Sequence, residues 1–574
     1  MAADEMQKRA ELRRAIGELS ERGLVQAAKW AAEQLVGLSD ADGPSTSGGV
    51  SATPSVTTRK SRKKEPSALK GCLSLEESEQ TKSEEDVLLL GKVLFDSKEY
   101  RRAAHALREC TSKRGTFLRC YATYLAGEKR KEEEIVEVAG PLGKSDVINQ
   151  DLESLEAELG GRYLQGQLDA FSTYLYGVVL HQREKKAEAR KALAISVNAY
   201  PWNWSAWLEL QELCTKLEDL PTLALEPHWM RDFFHASLAL KEQKNEEGLQ
   251  QYRALAAAFP RSDYVVAQTA TAHYNLRQFD EAQELFEQLL KSDPYRVDGL
   301  DIYSNILYVK ECFSALSYLA HKAVLTDKYR PETCCIIGNY YSLKAQHERA
   351  VLYFKRALKL NRNYLSAWTL MGHEFVEMKN TPAAIDAYRR AVDIDPKDYR
   401  AWYGLGQTYE ILAMPYYALY YYRRATQLRP NDPRMWCAMG QCYENEQLGM
   451  QEAAIRCYRR AVSYEDREGI ALHKLARLHQ QLEQMDEAAH YFRKNLERME
   501  QDQADGRDVV EALVFLAAYC KNQGLLHEAE QYCTKLMDYG APEKEEAKAI
   551  LREIRSVQEH GVLSPHMDLE SYTP

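Results

Sequence analysis

The chain is an acidic sequence of 574 residues, with a net charge of −10 and 45% hydrophobic residues, and this length suffices for several domains or one long repeat array. The acidic balance argues against a nucleic-acid binder, and no run of 18 apolar residues or apolar N-terminal segment predicts a membrane span or a secretory signal. Twelve cysteines are too sparse for a disulfide scaffold and predict reduced thiols in an intracellular protein.

Two segments precede the first long helical pattern. Residues 1–38 predict a helix pair of TPR type, with Gly23 in the turn and Ala27 where the two helices cross. Residues 39–83 form an insert rich in Ser, Thr, Pro and basic residues that cannot bury a core, so we expect it to be disordered. Its compact basic run predicts nuclear import, with a solvated charge cluster as the alternative, and a Thr-Pro pair predicts phosphorylation. The residues concerned are Arg59, Lys60, Arg62, Lys63 and Lys64 for import and Thr53 for phosphorylation.

Residues 84–262 predict a first array of helix pairs. Small residues twelve positions apart, such as Gly177 and Ala189, suit the close crossing of two helices within a pair. The stretch 140–168 breaks this spacing and predicts an irregular connection between pairs. A protein with such an array is expected to stack its pairs, because one pair alone leaves an apolar face uncovered.

Residues 263–543 show the repeat most clearly. Glycines recur at intervals of 34 residues, tryptophans stand four residues before three of them, and alanines keep the same step. These markers are Gly338, Gly372, Gly406 and Gly440; Trp368, Trp402 and Trp436; Ala350, Ala384 and Ala418. This register is the tetratricopeptide repeat (TPR) signature. It predicts an all-α fold, a TPR α-solenoid superhelix of antiparallel helix pairs, in which Met414-Pro415 departs from the usual turn.

The last residues predict a cap and a tail. Residues 544–560 predict a capping helix, and residues 561–574 predict an exposed, flexible tail. Two proline-directed dipeptides in the tail, at Ser564 and Thr573, are further candidate phosphorylation sites.

The first helix of each TPR pair lines the inner wall of the array, where it can bind a peptide. Asn305 and Asn339 occupy the same inward position of consecutive repeats, and an amide there can bond both N–H and C=O of an extended peptide. Neighbouring carboxylates would select Arg or Lys, and tyrosines would offer apolar walls. Solvated helix-face residues are the alternative. The predicted peptide-binding residues are Asn305, Tyr308, Asn339, Ser342, His373, Glu374, Glu377, Tyr403, Gln407 and Glu410.

No catalytic motif is complete. The stretch 140–145 ends like a phosphate-binding loop, but Val138 stands where that motif needs glycine. The stretch 373–377 has glutamate in place of the second histidine of a zinc-protease helix. We therefore predict no enzyme, no cofactor and no metal.

Three strings carry a family resemblance: AWYGLGQTYEILAMPYYALYYYRRATQLRPNDPRMW, IDAYRRAVDIDPKDYRAWYGLGQTYE and the N-terminal ELRRAIGELSERGL. They resemble the family of eighth subunits of the anaphase-promoting complex. The resemblance implies a non-catalytic scaffold of a ubiquitin ligase that marks mitotic regulators, located in nucleus and cytoplasm. It also implies a homodimer formed through the N-terminal array 84–262, and a groove in 263–543 that binds the basic C-box of an activator protein, with Asn339 and Glu374 foremost.

Other classes of TPR protein remain alternatives. A co-chaperone would need lysines that clamp a carboxylate, but Asp301, Val309, Cys335 and Leu343 stand at those positions. A TPR glycosyltransferase would have a catalytic domain after residue 543, and an RNA-processing scaffold would show a basic face. Whether one ligand or several share the groove stays open.

Overall fold

The computed structural model describes residues 2–38, 75–139, 142, 147–214, 223–464, 466, 469–501, 506–537 and 539–560, and these residues form helices and turns without a β-strand. The helices are α1 (Ala2–Glu21), α2 (Val25–Gly37), α3 (Leu75–Asp96), α4 (Tyr100–Ala106), α5 (Lys113–Ala139), α6 (Leu152–Leu164), α7 (Ala170–Gln182), α8 (Lys186–Ala199), α9 (Trp204–Leu213), α10 (Trp229–Lys241), α11 (Asn245–Ala258), α12 (Asp263–Asn275), α13 (Phe279–Ser292), α14 (Leu300–Val309), α15 (Phe313–Thr326), α16 (Pro331–Leu343), α17 (His347–Leu360), α18 (Leu365–Glu377), α19 (Thr381–Ile394), α20 (Tyr399–Ile411), α21 (Pro415–Leu428), α22 (Pro433–Glu444), α23 (Gln451–Ser463), α24 (Ile470–Gln481), α25 (Met485–Gln501), α26 (Arg507–Asn522), α27 (Leu526–Leu536) and α28 (Ala541–His560).

The helices pack as antiparallel pairs in two compact units, Met1–Tyr364 (unit 1) and Leu365–Pro574 (unit 2). The predicted all-α TPR fold is thereby confirmed. The boundary between the units differs from the predicted boundary between the arrays 84–262 and 263–543, whose assignment to dimerisation and peptide binding stays a prediction. Among the described residues, no helix combines the length and apolarity needed to cross a bilayer.

The turns inside the pairs repeat one backbone conformation. Gln243, Arg277, Glu311, Ala345, Lys379 and Ala413 lie 34 residues apart and all have φ between +53° and +63°. This left-handed conformation turns the chain back, so that the second helix can pack on the first. The expected departure at Met414-Pro415 is wrong: Ala413 has the common φ of +55°, and Pro415 takes the first position of α21, where its missing N–H is not needed.

The repeated glycines make room for aromatic rings at the crossing of the two helices. A Cβ atom on Gly372 would lie 2.5 Å from the ring of Tyr388, and one on Gly406 would lie 2.4 Å from the ring of Tyr422. Both tyrosines are fully buried. The close approach therefore requires glycine on the first helix opposite a large ring on the second.

The N-terminal helix pair packs against first helices that come about 200 residues later in the chain. The indole of Trp30 on α2 stacks on Trp204 with ring centroids 4.7 Å apart. It also meets Phe233 edge-on at 5.2 Å and Tyr264 at 5.9 Å. Trp30 is only 5% exposed, so α1 and α2 cover the first helices α9, α10 and α12 of unit 1 with an aromatic cluster.

Two predicted irregular stretches contain helices. The insert predicted over 39–83 ends earlier, because α3 begins at Leu75, where a run rich in Glu, Gln and Lys favours helix. The prediction of an irregular connection over 140–168 is wrong, because α6 lies within it. Leu152, Leu155 and Leu159 of α6 are buried at helical spacing, a signal that the 34-residue register does not contain.

Several sequence predictions lie outside the described residues. They are the import run Arg59, Lys60, Arg62, Lys63 and Lys64 and the phosphorylation sites Thr53, Ser564 and Thr573.

Candidate peptide-binding residues on the first helices

In unit 1, two predicted ligands form a hydrogen-bonded cluster with each other. The Nδ2 atom of Asn339 on α16 donates to Oδ1 of Asn305 (2.7 Å) and to Oγ of Ser304 (2.8 Å), both on α14. Asn339 is 2% exposed and Asn305 is 9% exposed. Both N–H groups of the Asn339 amide are thus used within this amide cluster (Ser304, Asn305 and Asn339), which joins consecutive repeats of unit 1.

Tyr308 and Ser342 lie one helical turn further along the same two helices. The Ser342 hydroxyl donates to the Tyr308 hydroxyl at 3.3 Å. Ser342 is buried, whereas Tyr308 is 39% exposed. The tyrosine ring is therefore the part of the predicted unit 1 set that a peptide can contact directly.

In unit 2, the imidazole of His373 is held by a tyrosine on the second helix of its own pair. The hydroxyl of Tyr388 lies 2.7 Å from Nδ1 of His373. Burial lowers the pKa of His373 to about 4, and the positive charge of Arg400 adds to this effect. The ring is consequently neutral at pH 7, and the Tyr388 hydroxyl can donate to Nδ1.

Glu374 and Glu377 follow on the same helix but differ in exposure. Glu374 is 5% exposed and has polar partners of its own, whereas Glu377 is exposed. Burial raises the pKa of the Tyr388 hydroxyl well above its ordinary value, and both carboxylates add to the increase. Negative charge therefore accumulates at the end of α18.

The remaining predicted residues lie on α20. Gln407 and Glu410 are exposed, and Tyr403 is half-buried. The Tyr422 hydroxyl donates to Oε2 of Glu410 at 2.7 Å, and the rings of Tyr403 and Tyr422 are 5.4 Å apart. The second helix thus fixes the orientation of a carboxylate that the first helix presents to solvent.

Exposed carboxylates of unit 2 lie along α18 and α20, where the positive charge of Arg400 also acts. We call the set His373, Glu374, Glu377, Tyr403, Gln407 and Glu410 the first-helix surface of unit 2. Its exposed carboxylates can accept charge-assisted hydrogen bonds from Arg or Lys, and Gln407 can bond a peptide backbone. Within the described residues, no group of three or more His, Cys, Asp or Glu side chains is arranged to hold a metal ion.

Tyr388 and Tyr422 are not among the predicted residues, because the prediction took only first-helix positions that line the inner wall. The equivalent residues Phe286 and Phe354 of unit 1 have no hydroxyl group, but Tyr252 of unit 1 has one. A tyrosine at this repeat position is therefore informative only together with a polar partner on the first helix, such as His373 or Glu410.

The chain matches family models of two kinds. The model described as anaphase promoting complex subunit 8 / Cdc23 matches residues 7–270. Tetratricopeptide repeat models match 267–300, 331–364, 372–411, 433–467 and 470–498.

Relatives match over nearly the full length. The chain is 58% identical to "Anaphase-promoting complex subunit 8" of Arabidopsis thaliana, over 98% of each chain. It is 46% identical to the protein of that name in Dictyostelium discoideum, over 96% of this chain and 98% of the relative. It is 37% identical to "Anaphase-promoting complex subunit CDC23" of Saccharomyces cerevisiae, over 95% and 97%.

A solved structure shares the fold. The "Crystal structure of APC/C hetero-tetramer Cut9-Hcn1" matches with a TM-score of 0.55 at 16% identity, over 83% of this chain and 90% of the other. At this identity the likeness supports the helical-repeat fold and nothing further.

Proposed function

The chain belongs to the anaphase-promoting complex subunit 8/Cdc23 family, and from this membership we propose that it is a non-catalytic TPR scaffold subunit of the anaphase-promoting complex ubiquitin ligase. In this role it assembles with other subunits and promotes ubiquitination of cell-cycle regulators. The names of relatives that match over nearly the whole chain support the proposal. So does a fold composed of stacked helix pairs, which offers extended surfaces for partners.

We further propose that the first-helix surface of unit 2 binds the basic C-box segment of an activator protein. The observation that carries this proposal is the exposure of Glu377 and Glu410. Gln407 precedes Glu410 by about one turn of α20, and Tyr422, which bonds Glu410, also contacts the Tyr403 ring. An arginine of the peptide would pair with a carboxylate, and an apolar side chain would lie against the tyrosine. Because Tyr422 already orients Glu410, little ordering entropy is lost on binding.

We propose separately that unit 1 has a peptide contact of its own, which the amide cluster positions. The buried Asn339 links α16 to α14 through Asn305, and this link holds the neighbouring Tyr308 and Ser342 in place. Tyr308 is the proposed contact for a peptide in unit 1.

The homodimer is proposed to form through the N-terminal array 84–262. On α3, Leu89, Leu90 and Val93 are 60%, 54% and 61% exposed, and an exposed apolar face of this kind is typical of an interface. We expect Leu90→Glu/Val93→Glu to convert a dimer into a monomer in size-exclusion chromatography with light scattering. An unchanged mass would contradict this location of the contact.

The peptide proposal is tested by fluorescence anisotropy with a labelled basic C-box-type peptide. We expect Glu377→Gln/Glu410→Gln to bind about tenfold more weakly or worse, because two charge-assisted hydrogen bonds are lost. The matched control is Glu446→Gln/Glu452→Gln, which removes two exposed carboxylates of unit 2 outside the surface. Equal binding by both variants and wild type would contradict the proposed site.

The two buried residues are tested in separate variants, Asn339→Ala in unit 1 and Glu374→Ala in unit 2. We expect Glu374→Ala to weaken peptide binding because it removes a carboxylate of the first-helix surface of unit 2. We expect Asn339→Ala to lower the melting temperature in circular dichroism, because the hydrogen bonds to Ser304 and Asn305 are lost. A Glu374→Ala protein that melts and binds like wild type would exclude Glu374 from peptide recognition, and an unchanged melt of Asn339→Ala would contradict the role of the amide cluster.

A further inference from the structure

Helix α21 presents an unusual row of exposed aromatic side chains. Tyr416, Tyr417 and Tyr420 are 65%, 59% and 51% exposed. The helix has the sequence PYYALYYYRRATQL and contains no aspartate or glutamate. Large aromatic residues seldom face solvent in adjacent turns of a helix unless they contact a partner.

Two of these rings, Tyr417 and Tyr420, belong to one continuous network. Tyr409 on α20 stacks on Tyr417 at 5.5 Å and on Tyr421 at 5.2 Å between ring centroids. Tyr421 also meets Tyr420 at 5.2 Å and Trp402 at 6.0 Å. Because these two rings are supported by others, this part of the surface is ordered before a partner arrives, which lowers the entropic cost of binding.

Arginines border this network. The Nη2 atom of Arg389 on α19 donates to the hydroxyl of Tyr409 at 2.9 Å, and the guanidinium of Arg424 lies over the ring of Tyr420 at 5.8 Å. Arg389 and Arg424 are exposed. Positive charge and aromatic rings therefore meet on one surface of a chain whose net charge is −10.

We propose that this surface, which consists of Tyr416, Tyr417, Tyr420, Arg389 and Arg424 and is called the aromatic surface of α21, binds an acidic segment of a protein partner. Carboxylates of the segment pair with the guanidinium groups, which suit carboxylate geometry. An apolar side chain between the carboxylates packs on the tyrosines. Tyrosine and arginine are the residues that most often dominate protein interfaces.

The proposal does not depend on the proposed C-box binding. The two surfaces use different residues and opposite charge: the first-helix surface of unit 2 selects a cation, whereas the aromatic surface of α21 selects an anion. A variant of one surface therefore leaves the other intact.

Single-stranded nucleic acid also binds to rings and arginines, but a long polyanion needs a basic track that neutralises many phosphates. The flanking helix α19 exposes Asp386 and Asp393. Helix α23 exposes Arg456, Arg459 and Arg460, but Arg456 pairs with Glu452 at 4.0 Å and Arg459 pairs with Glu487 at 3.1 Å. Carboxylates therefore interrupt the basic residues around α21, which suits a short acidic segment better than a long polyanion.

The test starts with selection of phage-displayed 12-residue peptides on the full-length protein. We expect the enriched sequences to contain Asp or Glu around an aromatic or aliphatic residue. A selected peptide is then labelled, and its affinity is measured by fluorescence anisotropy for wild type and for Tyr416→Ala/Tyr420→Ala/Arg424→Ala. These three side chains are exposed, so the fold should persist, and a circular dichroism melt checks this.

The control variant is Tyr295→Ala/Tyr329→Ala/Lys328→Ala. Tyr295 and Tyr329 are 77% and 75% exposed in unit 1, and Lys328 lies 5.8 Å from the Tyr329 ring, which matches the cation over Tyr420. We expect at least tenfold weaker binding by the α21 variant, unchanged binding by the control, and no binding of a peptide whose acidic residues are replaced by lysine.

Three results would overturn the proposal. They are the absence of an acidic consensus, equal affinity of the α21 variant and wild type, and displacement of the peptide by a uridine 20-mer that binds through the same residues. The last result would assign the surface to RNA. Unchanged binding of the acidic peptide by Glu377→Gln/Glu410→Gln distinguishes this site from the proposed C-box surface.

Discussion

The first helices of the two units use equivalent repeat positions for different purposes. In unit 1, Phe233 and Tyr264 lie under Trp30 of the N-terminal helix pair. In unit 2, the equivalent residues are Tyr403 and Arg400, which are half-exposed. The same position of the repeat therefore belongs to a core where the N-terminal helix pair packs on it, and to a half-exposed polar surface on α20. The residue type, not the repeat register, distinguishes the two cases.

A second difference lies in the rings that support the first helices. Phe286 and Phe354 in unit 1 only pack. Tyr388 and Tyr422 in unit 2 also hydrogen-bond to His373 and to a carboxylate on the first helix. One oxygen atom on the second helix thus converts a packing residue into one that orients polar groups on the first helix.

The largest expected effect is on the covered surface of unit 1. Trp30→Ala removes a buried indole from the cluster with Trp204, Phe233 and Tyr264, and should lower the free energy of unfolding of unit 1 by about 3–5 kcal/mol. Urea denaturation followed by circular dichroism measures this loss. Val36→Ala on the same helix is the control, because Val36 is 75% exposed. Similar small losses for both variants would mean that α2 contributes little to the fold.

The close crossing of helices in unit 2 is tested by Gly406→Ala. The added methyl group would meet the Tyr422 ring at 2.4 Å, so we expect a loss of about 1–3 kcal/mol in the free energy of unfolding. Gly161→Ala is the matched control, since no atom lies within 4 Å of the added carbon on helix α6. It should be neutral or stabilise by up to about 1 kcal/mol. Destabilisation by both changes to the same extent would contradict the packing explanation.

The orienting tyrosine is tested by Tyr422→Phe, which introduces the residue type of Phe286 and Phe354 in unit 1. Loss of the hydrogen bond to Glu410 should weaken binding of a basic peptide about three- to tenfold, since one such bond contributes about 1 kcal/mol. Fluorescence anisotropy measures the change. Tyr420→Phe removes an exposed hydroxyl and should leave that affinity unaltered; a decrease in both variants would argue against a specific role of Tyr422.

The effect of His373 depends on pH. Its pKa is about 4 in the folded protein, below the ordinary value of about 6.5, so the unfolded chain takes up the proton first as the pH falls. The contribution of His373 to stability is therefore full above pH 6.5 and is lost as the pH falls towards 4. Between pH 7 and pH 5, the urea concentration at the unfolding midpoint should fall less for His373→Gln than for wild type. An equal fall in both proteins would show that other groups cause the pH dependence.

The regular repeats could be predicted from sequence because their markers are local. The 34-residue spacing of glycines and tryptophans predicts the helices around Gly372 and Gly406. The positions that face the inner wall of the array follow from the same register. The packing of Trp30 on Trp204 could not be predicted, because no periodic pattern encodes a contact between residues 174 positions apart. For the same reason, Asn339 could be placed on an inward position, but its hydrogen bonds to Ser304 and Asn305 could not.

The difference between the covered and the open first helices is tested most directly by photo-crosslinking. A basic C-box-type peptide with a central benzophenone is irradiated with the full-length protein, and the modified residues are identified by mass spectrometry. We expect adducts on α18 and α20, within the first-helix surface of unit 2, and their loss in Glu377→Gln/Glu410→Gln. Adducts confined to α9, α10 or α12, where Trp30 covers the first helices, would contradict the assignment.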